Sequence, residues 1–514
     1  MGIVSPELNS IDGLDVVTKL FSKMEQSNIL YCHWKSNEHL REGLLGITDL
    51  DVLVEKGKTH ALNRALADSG FKLFNAMATH GYPAVEDYLS VDASTGRMVH
   101  LHLHYQLICG EPHLKGYRLP WEHQILLSRH YDEKEKVYVV EPHMEMLLLI
   151  VRSILKFRTR DRMLDKFGKP YFRGERLKEF IWLKERISSS GMYELTGPLL
   201  GEEAATQIKS IISSDAPSLS QILHFRKSTK QTIQLFRTYS PLHARWRRTV
   251  RELYWVCGGI NKRYIHAPIP LRRISASGGL LIAIMGCDGS GKSTHVKAVQ
   301  QWLSWKMDVI SLYFGSGDGP SSLIRWPLKL IAKLLPKSSK TSSNLNHTDV
   351  GSEGEESNPS NPSLFKQWAK AVWATTLCIE KHRKLRRATL ARNRGMVVLC
   401  DRYPQNQIMG FNDGPLLNSW LNHPWKILRA LAEWEGKPYR EAETYFPDVV
   451  IRLNVSPDVA VQRKSDISYE QCNKRINAIN SLQYPAATRV VDIDANQPIE
   501  HVLLEVKHVI WREF

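Results

Sequence analysis

The chain has no paired cysteines, no long hydrophobic run and too few acids to balance its bases. Its seven cysteines (Cys32, Cys109, Cys257, Cys287, Cys378, Cys400 and Cys472) are scattered with no C-x-x-C pair. That pattern fits a reducing cytoplasm and argues against a disulfide framework or a structural zinc site. The longest apolar run, Met146-Leu147-Leu148-Leu149-Ile150-Val151, is much too short to span a bilayer. The opening Met1-Gly2-Ile3-Val4-Ser5-Pro6-Glu7 carries no basic-then-apolar signal, and Pro6 stands where a myristoylation site wants Ser or Thr. The expectation is a soluble cytoplasmic protein. Acids number 53 against 69 Lys and Arg, a formal net charge of +16. Such a balance suits polyanionic partners: nucleotides, nucleic acid or an acidic membrane surface. What is present is ordinary for a globular protein, 43% hydrophobic and 24% charged over 514 residues. That is enough for large cores in about three domains.

Residues 1–132 read as a small α/β unit, with a helix over 12–24, a strand over 29–34 and a helix over 59–68. Between them lies Gly46-Ile47-Thr48-Asp49-Leu50-Asp51-Val52-Leu53-Val54. Alternate side chains of a strand share a face, so Asp49 and Asp51 project together. Adjacent carboxylates repel unless a cation joins them, which makes this strand either a Mg²⁺ clamp or a solvated polar face. Further on, Val99-His100-Leu101-His102-Leu103-His104-Tyr105 alternates strictly. Val99, Leu101, Leu103 and Tyr105 are expected toward the core, with three histidines on the other face. Those imidazoles would bind a transition metal, hydrogen-bond phosphate, or simply make a polar sheet face. No fourth ligand is visibly placed.

These two strands resemble the nucleotidyltransferase-like fold of the polymerase-β superfamily. Its members carry a G-x-x-D-x-D strand and later a third acid, often followed by Leu-His and an aromatic residue. Thr48-Asp49-Leu50-Asp51 matches the first part; His102-Leu103-His104-Tyr105 matches the second except that His102 stands in place of the acid. His33-Trp34-Lys35-Ser36-Asn37 replaces the family's earlier glycine-serine turn. The resemblance implies metal ligation by Asp49 and Asp51 and bears on the fold more than on activity. A two-metal transfer without the third carboxylate lacks a ligand or its base.

Residues 133–277 read as a mainly helical, basic connector, with helices over 141–157, 175–188 and 219–236. From Arg245-Trp246-Arg247-Arg248 to Lys262-Arg263-Tyr264, cations interleave with aromatics. Nucleic-acid or lipid-headgroup contact is one reading. The favoured one is an amphipathic helix with a solvated basic face, since the charge is not gathered in one tract. Nucleic acid is accordingly not the expected partner. Pro268-Ile269-Pro270 and Ser275-Ala276-Ser277-Gly278-Gly279 mark the boundary that follows.

Chemistry is most legible in 278–514. Gly286-Cys287-Asp288-Gly289-Ser290-Gly291-Lys292-Ser293-Thr294 fits G-x-x-x-x-G-K-[ST] without a mismatch. The apolar run Leu280-Leu281-Ile282-Ala283-Ile284-Met285 precedes it as a buried parallel strand. Val296, Val299 and Leu303 follow at helical spacing. The glycines let backbone N–H groups close around phosphate oxygens at a helix N-terminus; Lys292 would reach the terminal phosphates and Ser293 would ligate Mg²⁺. A second strand is expected over 309–314, running into Gly315-Ser316-Gly317. Residues 337–363, almost without apolar side chains, read as a disordered insertion. A helix over 364–393 carries Lys381-His382-Arg383-Lys384 and Arg386-Arg387. The strand Val397-Val398-Leu399-Cys400-Asp401 then delivers Asp401 and Arg402 at its carboxyl end, where ligands bind in parallel α/β sheets. Asp401 would hold Mg²⁺ or orient an acceptor, and Arg402 would neutralise a phosphate; the alternative is a structural ion pair.

With Asp401-Arg402-Tyr403 following the loop, this segment resembles the thymidylate kinase-like branch of P-loop kinases. Strands over 447–455 and 490–495 and helices over 456–464 and 499–510 continue the order of that family. The resemblance implies ATP and Mg²⁺ as cofactors, catalytic roles for Lys292, Asp401, Arg402 and Arg463, and a lid beginning at Arg463 with Lys464, Lys474 and Arg475 as its cations. It places Asp288 near the acceptor. Thymidylate kinases continue with Ser and Ala-Tyr-Gln, whereas Pro404-Gln405-Asn406-Gln407-Ile408-Met409-Gly410-Phe411 stands here, so the base-reading residues are missing. The leading expectation is an ATP- and Mg²⁺-dependent phosphotransferase acting on a nucleoside monophosphate or another phosphate- or hydroxyl-bearing metabolite. The pairing of the two domains looks like arrangements that accompany surface-polysaccharide synthesis. A nucleotide-gated scaffold, or a bifunctional nucleotidyltransferase-kinase, is the alternative.

Overall fold

The structure is a computed structural model that describes residues 13–77, 80–111, 113–315, 364–408, 414–464 and 468–514. The expected insertion at 337–363, together with Ser316, Gly317 and Met409-Gly410-Phe411, lies outside the described residues. The chain divides into two compact units. One joins Met1–Ile265 with Leu271–Ala276, the other His266–Pro270 with Ser277–Phe514.

The first unit is organised on a mixed eight-stranded sheet. In chain order its strands are β1 (Tyr31–His33), β2 (Leu50–Val54), β3 (Lys72–Ala76), β4 (Val85–Val91) and β5 (Met98–His104). A separate hairpin, β6 (Leu107–Cys109) and β7 (Tyr117–Leu119), precedes β8 (His130–Asp132), β9 (Val137–Val139) and the late strand β10 (Arg273–Ser275). The order across the sheet is β10-β3-β4-β5-β2-β1-β9-β8. Only β2–β5 and β1–β9 are parallel pairs. Alternation decides the faces. Leu50, Val52, Val99, Leu101 and Leu103 pack with helices Asp15–Gln26 and Thr59–Asp68. Cys32, Trp34 and Leu53 point the other way, onto helix Pro142–Lys156. That helix is apolar on almost every side, as a helix inside a core must be. Glu141 caps it by accepting from Met144 N at 3.0 Å, worth about 1 kcal/mol. Helices Glu175–Lys184, Ser189–Leu200, Glu202–Ser213 and Leu219–Ser228 close around it. The helical segment expected to stand apart after residue 132 therefore shares a core with the sheet. The sheet also takes in β9 and β10 from beyond that boundary.

The second unit holds a five-stranded sheet, β11 (Leu280–Gly286), β12 (Val309–Tyr313), β13 (Val397–Asp401), β14 (Val449–Asn454) and β15 (Arg489–Asp494). The order is β12-β13-β11-β14-β15 with every pair parallel. Helices Lys292–Leu303, Leu364–Asn393, Tyr469–Ser481 and Ile499–Arg512 flank it. β11 and β13 are buried along their whole length, which is why both read as unbroken apolar runs. Because β11 is central and the chain departs from it first to one side and then to the other, its carboxyl end is the crevice where such sheets bind ligands. The α/β class expected from the sequence is the class observed. Among the described residues, no helix is long and apolar enough to cross a membrane.

Candidate functional site

The glycine loop leaves β11 and turns directly into helix Lys292–Leu303, with Gly291 in a left-handed conformation at its N-cap. Gly289 also has positive φ, and a Cβ there would lie 2.6 Å from the carbonyl oxygen of Ala460. Only glycine fits that position. Gly286, Ser290 and Thr294 complete the loop, and the buried Ser290 hydroxyl has no hydrogen-bond partner among the described residues. Lys292 is buried, and its ammonium donates to the carbonyl of Cys287 at 2.6 Å. Burial and the nearby Arg402 charge pull its pKa down to about 8.

β13 pairs with β11 so that Asp401 stands beside Ile284. The Ser293 hydroxyl donates to Asp401 Oδ2 at 2.6 Å, while Asp401 Oδ1 is buried without a hydrogen-bond partner among the described residues. A buried carboxylate oxygen with unused lone pairs next to a serine hydroxyl is a donor set that fits Mg²⁺, a hard cation taking oxygen ligands. Arg402 follows with a left-handed backbone, φ 67°, a conformation costly for a non-glycine residue and concentrated at functional sites. Its guanidinium donates to Asp288 Oδ1 at 2.7 Å. Arg475, from helix Tyr469–Ser481, binds the other oxygen of the same carboxylate, and Lys292 Nζ lies 3.8 Å away. Burial works against the Asp288 charge, but Arg402, Lys292, Arg475 and Lys464 outweigh it and bring its pKa down to about 2. Cys472 of the same helix sits 3.6 Å, sulfur to sulfur, from Cys287 of the loop.

The structure thus gathers Gly286–Thr294, Asp401 and Arg402 around one point, with Asp288 as the anion tying the cations together. Arg463 is placed differently: its guanidinium donates to the carbonyl of Ala495, just past β15, at 2.8 Å. Of the lid cations, Arg475 reaches the loop, and Lys474 pairs with Glu470 on its own helix.

In the first unit, Asp49 and Asp51 do share a face with the three histidines. Asp51 Oδ1 receives Lys35 at 2.9 Å, His104 Nε2 at 3.2 Å and His102 Nδ1 at 3.3 Å. His100 bridges Asp49 and Asp87 at 2.8 and 2.7 Å. Asp87, on β4 directly across from His102, also takes His102 Nε2 at 3.0 Å and Arg273 Nε at 2.7 Å. His102 has a carboxylate at each ring nitrogen. Burial opposes its charge, yet the hydrogen bonds to Asp51 and Asp87 raise its pKa. Burial and the His102 charge lower that of His100, and burial brings His104 down to about 3. The two adjacent imidazoles are shifted in opposite directions, and His102 is the more open to solvent. Burial likewise opposes ionisation of Asp51, but Lys35, His102 and His104 keep its carboxyl well below the usual range.

Three carboxylates therefore face Lys35, Arg273 and the three histidines. Mg²⁺ on Asp49 and Asp51 would have to displace Lys35, and the surrounding donors are mixed nitrogen and oxygen rather than the oxygens Mg²⁺ prefers. Asp87 and Arg273 were not among the residues picked out from the sequence. Neither carries a local signal, since only the strand register brings Asp87 opposite His102 and only the late β10 returns Arg273.

A glycine loop capping a helix at the carboxyl edge of an all-parallel sheet, over a Ser-Asp pair, defines an α/β protein built on a phosphate-binding loop. The chain belongs to the family of the uncharacterized ATP-binding protein YghR of Escherichia coli K12. It is 31% identical to that protein over 242 residues, 45% of this chain and 86% of the relative. The YghR of Escherichia coli O6:H1 strain CFT073 aligns to the same extent. The uncharacterized ATP-binding protein YghS of K12 is 27% identical over 230 residues, 43% of this chain and 89% of its own length. No protein-family model matches the chain.

Proposed function

We propose that the chain is an ATP- and Mg²⁺-dependent phosphotransferase whose acceptor bears a phosphate or a hydroxyl, such as a nucleoside monophosphate. One observation carries this: the Ser293–Asp401 pair with its unpartnered buried oxygen, set beneath a glycine loop. The names of the relatives support ATP as donor. Mg²⁺, held by Ser293 and Asp401, would supply charge neutralisation on the terminal phosphates. Lys292 would exchange the Cys287 carbonyl for phosphate oxygens, and backbone N–H groups of the loop would orient the chain of phosphates. Arg402 and Arg475, both now on Asp288, are the cations available to an anionic acceptor. Transfer forms a bond from an acceptor oxygen to the terminal phosphorus and breaks its bond to the bridging oxygen, releasing ADP. Such a reaction asks a protein mainly for positioning and charge neutralisation.

The test is ADP release and acceptor labelling from γ-labelled ATP across nucleotides and sugars. Lys292→Ala should lose roughly 10³-fold in turnover, and Asp49→Ala/Asp51→Ala should leave it intact. Tight ATP binding without turnover on any acceptor would sink the kinase reading. It would favour a nucleotide-gated regulator instead, a reading to which the Arg475–Asp288 link between loop and helix lends support. Loss of nucleotidyl transfer in the Asp49/Asp51 variant would assign a second activity to the first unit.

A further inference from the structure

Helix Pro241–Ile260 is amphipathic in the reverse sense to a surface helix of a globular unit. Leu242, Trp246, Val250, Leu253, Cys257 and Ile260 follow one another at spacings of four and three, so they form one stripe. That stripe faces outward: Leu242 is 78% exposed, Trp246 65%, Leu253 59% and Ile260 46%. The opposite face is turned in at Ala244, Arg251 and Gly258, though Trp255 on it is 59% exposed. Ala244 and Gly258 are buried, the latter against Leu271. Arg251 donates to the Gly81 carbonyl at 2.9 Å and lies over the Tyr82 ring, and Glu252 pairs with Arg158 at 2.8 Å. The solvated basic face favoured from the sequence forms only in part: Arg245, Lys262 and Arg263 are exposed, while Arg247, Arg248 and Arg251 are half-buried. Arg251 and Arg248 face the Gly81 carbonyl and Glu252, while the apolar stripe is left in water. Tyr264 and Ile265, 68% and 66% exposed, extend the stripe through the turn Asn261–Ile265.

We propose that this face docks on an anionic lipid surface, lying in the interface without crossing the bilayer. Charge complementarity selects that occupant. Residues 235–265 contain six Arg and one Lys but a single acid, Glu252, which is already paired, and Arg245, Lys262 and Arg263 are exposed along the helix or just beyond it. An apolar stripe with tryptophan, flanked by cations, is the pattern of an interfacial helix, and cations beside it gain from acidic headgroups. Nucleic acid fits less well, because Arg248 and Arg251 are half-buried beside Glu252 and the Gly81 carbonyl. The inference is independent of the phosphotransferase reading.

Cys257 lies on the stripe and alone among the seven cysteines is exposed, so a thiol-reactive, environment-sensitive fluorophore on the full chain reports on this face. Vesicles of equal parts phosphatidylcholine and phosphatidylglycerol should shift its emission to the blue and carry unlabelled protein upward in a sucrose gradient; phosphatidylcholine alone should do neither. Trp246→Glu/Leu253→Glu, both at solvent-facing positions, should weaken flotation at least about tenfold. Failure of both flotation and the blue shift with acidic vesicles overturns the proposal, whatever the variant does. A lipid-free dimer that Leu253→Glu dissociates also overturns it, by making a second copy the occupant.

Discussion

Asp51 and Asp401 both lie on buried strands, yet their surroundings differ in the respect that matters for binding a cation. Asp51 Oδ1 is approached by an ammonium and two imidazoles. Asp401 has one hydroxyl on Oδ2 and, among the described residues, no hydrogen bond on Oδ1. The first unit has more acids and the better resemblance to a two-carboxylate metal strand, but its negative charge is already spent on side chains. A metal site is defined by unused acceptor capacity held in place, and the number of carboxylates does not measure that.

Removing a compensating cation from the first unit should produce the largest effect. Arg273→Met leaves Asp87 buried beside two imidazoles without its guanidinium partner. The expected cost is about 3 kcal/mol of stability in urea unfolding, the penalty for removing one partner of a buried ion pair. The matching change in the second unit, Arg402→Met, should cost roughly 1 kcal/mol, because Arg475 and Lys292 remain beside Asp288. Equal costs in the two variants would erase the contrast.

The next effect belongs to the second unit alone. Asp401→Asn should weaken Mg²⁺ binding in the presence of ATP by about 10–100-fold, read by calorimetric titration of Mg²⁺ into protein with ATP. Asp51→Asn should leave the same titration unchanged. An Asp51→Asn protein that loses Mg²⁺ would show that the ion displaces Lys35 after all.

Most of the second unit was legible in the sequence because its signals are local. The run 280–285, the glycines and Val296, Val299 and Leu303 specify strand, loop and helix within one stretch, and Asp401 ends a strand that can only be buried. The pairing of Arg475 with Asp288, 187 residues away, was not legible as a contact, though Arg475 was marked as a lid cation. In the first unit the alternation of 99–105 sorted core from polar face correctly. What filled that polar face was hidden, since Asp87 enters by antiparallel register and Arg273 by a strand that returns long after the others. The orientation of helix Pro241–Ile260 was hidden for a different reason. A wheel shows two faces and is silent on which one the rest of the unit can satisfy, and here Gly81, Tyr82 and Arg158 claim the arginine side.

The smallest effect tests the charge balance itself through pH. His102 is surrounded by Asp51 on β2, Asp87 on β4, His100 and His104 on its own strand, Arg273 on β10, and Lys35 through Asp51. Its pKa is raised in the fold, so the stability it contributes is complete below the ordinary histidine value and is lost as pH rises through the folded value. His100 and His104 are shifted the other way and act in acid, where unfolding would let them take up protons. Asp51 and Asp87, held low, lose their contribution only as pH falls toward their own depressed values. His102 therefore contributes to the loss of stability as pH rises above the ordinary histidine value, together with His39, whose pKa the hydrogen bond to Glu38 raises. His102→Gln should make that loss shallower in urea unfolding measured between neutral and mildly alkaline pH, with the share of His39 and the acid limb left in place. If the slope is unchanged in the variant, the proton is held elsewhere in the cluster, and His100, with a carboxylate at each of its own nitrogens, is the group to change next.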